Sequence, residues 1–174
     1  LLYRLKNLLG VFIAAVLYFV LVYHLTNLYA TEHHGVERFI LMEGGIYTAL
    51  FWIVQIGLGS LLPLAMIYHP RIGKSRPAIA TACALVIIGG FAQLYVLLIG
   101  GQAYPLDMFP GYEVTSSFFD GVVASYRPSI WEITLGVGGI ALALLIVQVA
   151  ARVLRFLPDT LEDSAIDPHA AKAD

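Results

Sequence analysis

Four stretches of this chain carry no formal charge, and they dictate most of what it can fold into. No Asp, Glu, Lys or Arg falls between Lys6 and Glu32, between Glu43 and Arg71, between Arg76 and Asp107, or between Glu132 and Arg152. Each stretch holds the roughly 20 apolar residues that a helix needs to cross a ~30 Å hydrocarbon layer. Only helices and closed barrels carry a backbone through that layer, because no water is there to satisfy the amides. The runs predict four transmembrane helices near 9–30, 40–68, 78–101 and 130–156. The fold class is all-α: a polytopic four-transmembrane-helix bundle with a long ordered outer loop between helices three and four. Residues 1–157 form the bundle and 158–174 a polar cytoplasmic tail. Composition agrees, since charged residues are 13% of the chain, about half the share in a soluble domain.

The first apolar run is too long for a cleaved secretory signal and lacks a small-residue cleavage site. The chain opens at Leu1, with Arg4 and Lys6 placed as in a loop between two spans. The expectation is the C-terminal part of a longer protein. The single cysteine, Cys83, lies mid-span in the third run. One cysteine excludes an intrachain disulfide, a CxxC iron–sulfur pattern and covalent haem attachment. A small core side chain is the expected role.

Basic residues assign the sides. Arg4 and Lys6 precede helix one, His69, Arg71, Lys74 and Arg76 follow helix two, and Arg152 and Arg155 close helix four. The opposite side holds Arg38 and Arg127 among seven acidic residues, Glu32, Glu37, Glu43, Asp107, Glu113, Asp120 and Glu132. The basic side is expected in the cytoplasm, which puts both ends of the chain inside. The loop HPRIGKSRP then faces anionic lipid heads.

Helix two is too long for the bilayer. Its pattern runs from Val36 to Tyr68, about 50 Å at 1.5 Å per residue. Either its outer end projects from the membrane or Gly44-Gly45 breaks it in two. Pro63 should kink the other half by removing a backbone donor. Gly57, Gly59 and Ser60, and Gly139 with Ala143, permit close helix contact.

Ionisable groups inside a span are costly and therefore candidates for function. His24 lies about two turns from the outer end of helix one, and Glu43 about a turn inside the boundary of helix two. Antiparallel helices bring the two to similar depth. Tyr47, four residues after Glu43, is expected on the same helix face. A histidine, a carboxylate and a phenol at one depth can pass protons to a redox-active ring such as a quinone. The structural alternative has His24 bonded to a backbone carbonyl and Glu43 paired with Arg38 or with an arginine of another helix. His24 has no transmembrane histidine partner, so no haem is expected on this chain, and adjacent His33-His34 lacks the spacing and further ligands of a metal site. Gln55, Gln93 and Gln148 either line a channel or join helices by hydrogen bonds.

The segment Gly100–Glu132, GGQAYPLDMFPGYEVTSSFFDGVVASYRPSIWE, is too polar and too rich in Pro and Gly for lipid, and too aromatic for a plain linker. A long connection of this kind is usually functional or disordered, and its aromatic content argues for order. It is expected either to offer a docking surface through Tyr104, Phe109, Tyr112, Glu113, Phe118, Phe119 and Asp120, or to fold back over its own helix ends.

Two motifs, ERFILMEGG (37–45) and GGQAYPLDMFPGYEVTSSFFDG (100–121), carry a family resemblance. The chain up to Leu157 resembles the C-terminal half of NrfD/PsrC/HybB-type membrane subunits. Within that group it is most similar to the DsrP subunit of sulfite-reduction-associated complexes. The resemblance implies eight to ten helices in two bundles, of which these four match the second. It implies exchange of electrons and protons between membrane quinone, menaquinone or ubiquinone, and a ferredoxin-like iron–sulfur subunit on the outer face. It implies no haem or iron–sulfur cluster on this chain, a quinone pocket largely in the first bundle, and residence in a bacterial or archaeal plasma membrane. The leading expectation is a quinone-interacting membrane anchor of a multisubunit respiratory oxidoreductase, with His24, Glu43, Tyr47 and Arg38 as proton-transfer candidates. The alternatives are a purely structural anchor and half of a transporter.

Overall fold

The computed structural model describes residues 2–105 and 121–154. Every regular element among the described residues is helical. Four helices are long and apolar enough to cross a membrane: Arg4–Tyr29, Ile46–Tyr68, Arg76–Ala103 and Ile130–Val153. The chain is an all-α polytopic membrane protein. Phe109, Tyr112, Glu113, Phe118, Phe119 and Asp120 of the expected docking surface, and the tail from Pro158, lie outside the described residues.

The first helix begins at Leu2, ahead of the apolar run itself. Arg4 and Lys6 have high helix propensity and stems that reach an interface from a helix end, so charge does not terminate the coil. The second run is broken, as one of the two sequence readings requires. A short helix, His34–Arg38, passes into a single π-helical turn, Phe39–Glu43, and the helix breaks at Gly44-Gly45. Gly45 has φ 57° and ψ −103°, a conformation that a Cβ would strain. Thr48 fixes the elbow: its Oγ1 accepts from Gly44 N at 3.0 Å and donates to Phe39 O at 3.3 Å.

The second span then starts as α-helix at Ile46, widens into a π-helical segment over Leu50–Leu61, and returns to α-helix over Leu62–Tyr68. Pro63 sits at the start of that last piece, where a missing N–H is best tolerated. Ser60 Oγ donates to Gln55 O at 3.0 Å, which turns a small polar side chain inward without leaving it unpaired. The second and third spans cross where Gly59 meets Gly89. A Cβ built on Gly89 would stand 2.5 Å from Gly59 Cα, so the backbones touch directly.

Two clusters of buried side chains hold the first three spans together. One, at the end that carries His24, gathers Val20, Phe39, Ile40, Tyr47, Phe51, Val96 and Ala103. The other, toward the basic loop, gathers Ile13, Ile67 and Ala82. In that loop His69 Nδ1 accepts from the backbone N–H groups of Arg71 and Ile72, both at 3.3 Å. Residues Tyr3–Ser125 form one compact unit, and the fourth span belongs to a second. The fourth span opens with a capping box: Ser129 N donates to Glu132 Oε2 at 2.6 Å, and Glu132 N to Ser129 Oγ at 3.3 Å. Two orphan donors are satisfied reciprocally, and the helix start is set.

Candidate functional site: a buried histidine–carboxylate pair beside an aromatic cleft

The first span ends at Tyr29, and a single 3₁₀ turn, Thr31–His33, sends the chain back into the helix His34–Arg38. His34 Nε2 holds that turn by a hydrogen bond to Leu28 O. Val36, Phe39 and Ile40 face the core, and Glu37 shares their side of the coil. Its carboxylate is thereby carried under the end of the first span and left 1% exposed.

His24 and Asn27, three residues apart on one face of the first span, receive it. Glu37 Oε2 lies 2.6 Å from His24 Nδ1, and Oε1 accepts from Asn27 Nδ2 at 2.8 Å. A carboxylate can only accept, so in this bond His24 Nδ1 carries its proton. In the neutral imidazole with that proton on Nδ1, Nε2 is the ring nitrogen with the lone pair. Phe51 and Tyr23 pack edge-on against the imidazole, with ring centroids 4.8 and 5.2 Å away. A carboxylate this deep is tolerated because both oxygens are bonded and an imidazole stands against it.

Glu43 lies elsewhere. Its side chain is 55% exposed and takes Arg38 Nε at 2.7 Å, and Arg38 is 71% exposed. The pair spans the π-helical turn Phe39–Glu43 from the outside of the coil. Glu43 does not face His24, because the helical phase that buries Glu37 points Glu43 outward. Nor does it share a face with Tyr47, because the helix breaks at Gly44-Gly45 between them. Tyr47 is buried, stacks on Tyr95 with centroids 6.0 Å apart, and tilts against Phe39 at 5.8 Å. Tyr104, at the end of the third span, lies over Phe39 at 5.6 Å and against Gly35, so it packs into this end of the unit.

The imidazole borders a partly open cleft of about 200 Å³. Its walls are Phe19, Val20 and Tyr23 of the first span, Ile40, Phe51 and Gln55 of the second run, and Gln93, Val96 and Leu97 of the third span. A second cleft of about 140 Å³ lies next to it and shares Gln55 and Gln93. Gln55 is 4% exposed. Neither carboxamide has a hydrogen-bond partner among the described residues. The arrangement offers one proton-accepting nitrogen, two carboxamides and an aromatic lining, all within the hydrocarbon-length part of the helices.

Glu37 is the residue that hydropathy alone misses. By composition it belongs to the polar connection, and only its phase relative to Val36, Phe39 and Ile40 marks it as inward. That signal is present in the sequence, but it requires the helix to be started at His34 rather than near residue 40.

Such a molecule is an integral membrane protein with a titratable pair buried near one end of its spans and opening on a cleft of small-ligand chemistry. It belongs to the NrfD family of polysulphide reductase type, whose pattern matches residues 1–105 and so covers His24, Glu37, Gln55 and Gln93. Among curated proteins it is similar to the Hdr-like menaquinol oxidoreductase integral membrane subunit of Archaeoglobus fulgidus, at 28% identity over 153 residues, covering 86% of this chain and 38% of that protein. It is also similar to a putative dimethyl sulfoxide reductase membrane subunit of Halobacterium salinarum, at 29% identity over 167 residues, 88% of this chain and 36% of that protein. The chain thus spans little more than a third of the length of these relatives. No solved structure matches it.

Proposed function

We propose that this chain is a quinone-interacting membrane subunit of a respiratory oxidoreductase, and that the cleft beside His24 is where the quinone ring enters. The observation that carries this reading is the His24–Glu37 pair at 2.6 Å, with Nε2 left over beside an aromatic cleft. Family membership and the menaquinol oxidoreductase subunit among the relatives support it. A quinone exchanges two electrons and two protons with its surroundings. This chain's part is to handle a proton: Nε2 accepts one from a hydroquinone hydroxyl, or returns it to a quinone oxygen, while Glu37 stabilises the imidazolium. Gln55 and Gln93 can donate to a second ring oxygen, and Phe19, Tyr23 and Phe51 keep water from the ring. The proton then leaves by way of the Glu37 carboxylate, which Asn27 holds in place.

The electrons pass to or from a ferredoxin-like iron–sulfur subunit seated at the His24 end, on the outer face of a bacterial or archaeal plasma membrane. That sidedness follows from the basic loop Arg71–Arg76 lying in the cytoplasm. The segment that follows Tyr104, whose own ring packs over Phe39, is its landing surface, and further helices complete the membrane part. Arg38 and Glu43 belong to the exposed rim of this end.

Turnover of the complex in native membranes tests the reading. His24→Ala removes the acceptor nitrogen and is expected to lower quinol turnover per assembled complex about 10²–10⁴-fold, the usual contribution of a positioned acid–base group. Turnover per complex equal to wild type, with only the yield of complex reduced, would make this chain a structural anchor instead.

A further inference from the structure

The two clefts meet at Gln55 and Gln93, which line both. Gln55 is 4% exposed as a residue, and no buried side-chain nitrogen or oxygen among the described residues lacks a partner, so its carboxamide opens on the clefts rather than into a closed interior. A polar group facing a cleft at membrane depth is best satisfied by a ligand's polar atom or by water. On one side of the junction stands His24 Nε2. On the other side the second cleft presents Phe12, Val16, Val86 and Gly90, together with the Gly59–Gly89 contact. Its one hydroxyl, on Ser60, is already spent on Gln55 O at 3.0 Å. Away from the two glutamines, the second cleft therefore offers a ligand mainly apolar surface. From His24 to Phe12 the joined groove follows twelve residues of the first span, about 18 Å. At about 200 and 140 Å³ each cleft falls short of the ~300–1,000 Å³ typical of small-molecule sites, and the two joined reach it.

We infer that the two clefts are one site for a single elongated ligand, a quinone with a long isoprenoid chain. Its ring lies between His24 and the two glutamines, and its first isoprene units lie in the second cleft against Gly90. The inference rests on the quinone reading of the His24 cleft. Gly90 lines the second cleft and is itself exposed. A Cβ there would meet nothing within 4 Å, whereas at Gly59 and Gly89 a Cβ would strike the facing backbone. Helix packing requires glycine at 59 and 89 and not at 90, where a side chain would project into free space beside the cleft. Lipid tails are as apolar as this groove, so the gain from docking the chain is one of fit, and a side chain that fills the groove should remove it.

The test compares Gly90→Leu with wild type in native membranes, using a long-chain menaquinol and the tail-less menadiol. Gly90→Leu is expected to raise KM about tenfold for the long-chain quinol, a change of ~1.4 kcal/mol, and to leave kcat and KM for menadiol unchanged. Val16→Phe, which narrows the second cleft from the first span, should give the same split and serves if Gly90→Leu assembles poorly. Equal effects on both quinols, or no effect on either, overturn the inference. So does native mass spectrometry that finds a phospholipid held by wild type and lost in Gly90→Leu with quinol kinetics unchanged, since the second cleft would then belong to lipid. Failure of the underlying reading shows separately: His24→Ala would leave menadiol turnover intact, whatever Gly90→Leu does.

Discussion

Replacing Glu37 by glutamine keeps the side chain's size but exchanges one carboxylate oxygen for an NH₂ donor and removes the charge. In the native pair, Oε1 accepts from Asn27 at 2.8 Å and Oε2 faces His24 Nδ1 at 2.6 Å. Glutamine's carbonyl can keep the bond from Asn27, which leaves its amide pointing at His24. An amide NH₂ donates, so Nδ1 must become the acceptor and the proton moves to Nε2. The imidazole turns from an acceptor into a donor toward the cleft without moving. Two hydrogen bonds to a charged group, worth about 1.5–3 kcal/mol each, become neutral ones worth about 0.5–1.5. Against that, a charge that is 1% exposed is no longer buried, which returns several kcal/mol of desolvation. These terms nearly cancel, so stability should shift by less than about 2 kcal/mol. Quinol turnover should nevertheless fall about 10²–10⁴-fold, because the acceptor nitrogen is masked. Glu43→Gln is the control: its pair with Arg38 is mostly exposed, is worth at most about 1 kcal/mol, and should leave turnover unchanged. The assay is quinol turnover per assembled complex in membranes, read beside the thermal midpoint of the solubilised complex. Wild-type turnover in Glu37→Gln, or equal losses in the two variants, would refute the reasoning.

Two further outcomes test the packing. Gly89→Val places a Cβ 2.5 Å from Gly59 Cα, so the second and third spans must part; a loss of about 1–3 kcal/mol is expected from such overpacking, visible as a lowered thermal midpoint. Gly45→Ala forces a Cβ onto φ 57°, ψ −103° and should cost about 1–3 kcal/mol, with faster proteolysis at the elbow as the sensitive readout.

How much of this was legible in the sequence depends on which physical signal each feature uses. The four spans follow from charge-free length, because lipid permits no other way to carry the backbone, and they stand near the runs that predict them. The excess length of the second run allows either a projecting end or a break, and the glycine pair marks where the break falls. The inward position of His24 is legible because helix one is otherwise apolar around it. The choice between Glu37 and Glu43 is not settled by hydropathy, since Glu43 lies nearer the apolar run and Glu37 nearer the polar turn. What settles it is the return of the chain: a three-residue turn brings the helix at His34 back against the first span while still at the membrane edge. Burial there follows the apolar stripe Val36, Phe39 and Ile40, with Arg38 and Glu43 on the far side. The widening of the second span over Leu50–Leu61 leaves no comparable mark in composition, because i→i−4 and i→i−5 bonding use the same apolar residues.

The most direct measurement of the central claim is photolabelling of native membranes with an azidoquinone, followed by mass spectrometry of the labelled peptides. Adducts are expected on the first span between Phe19 and His24 and on the second between Phe51 and Gln55, competed away by excess menaquinol and lost in His24→Ala. Label confined to other polypeptides or to helices outside this chain, with these two segments clean, would contradict it.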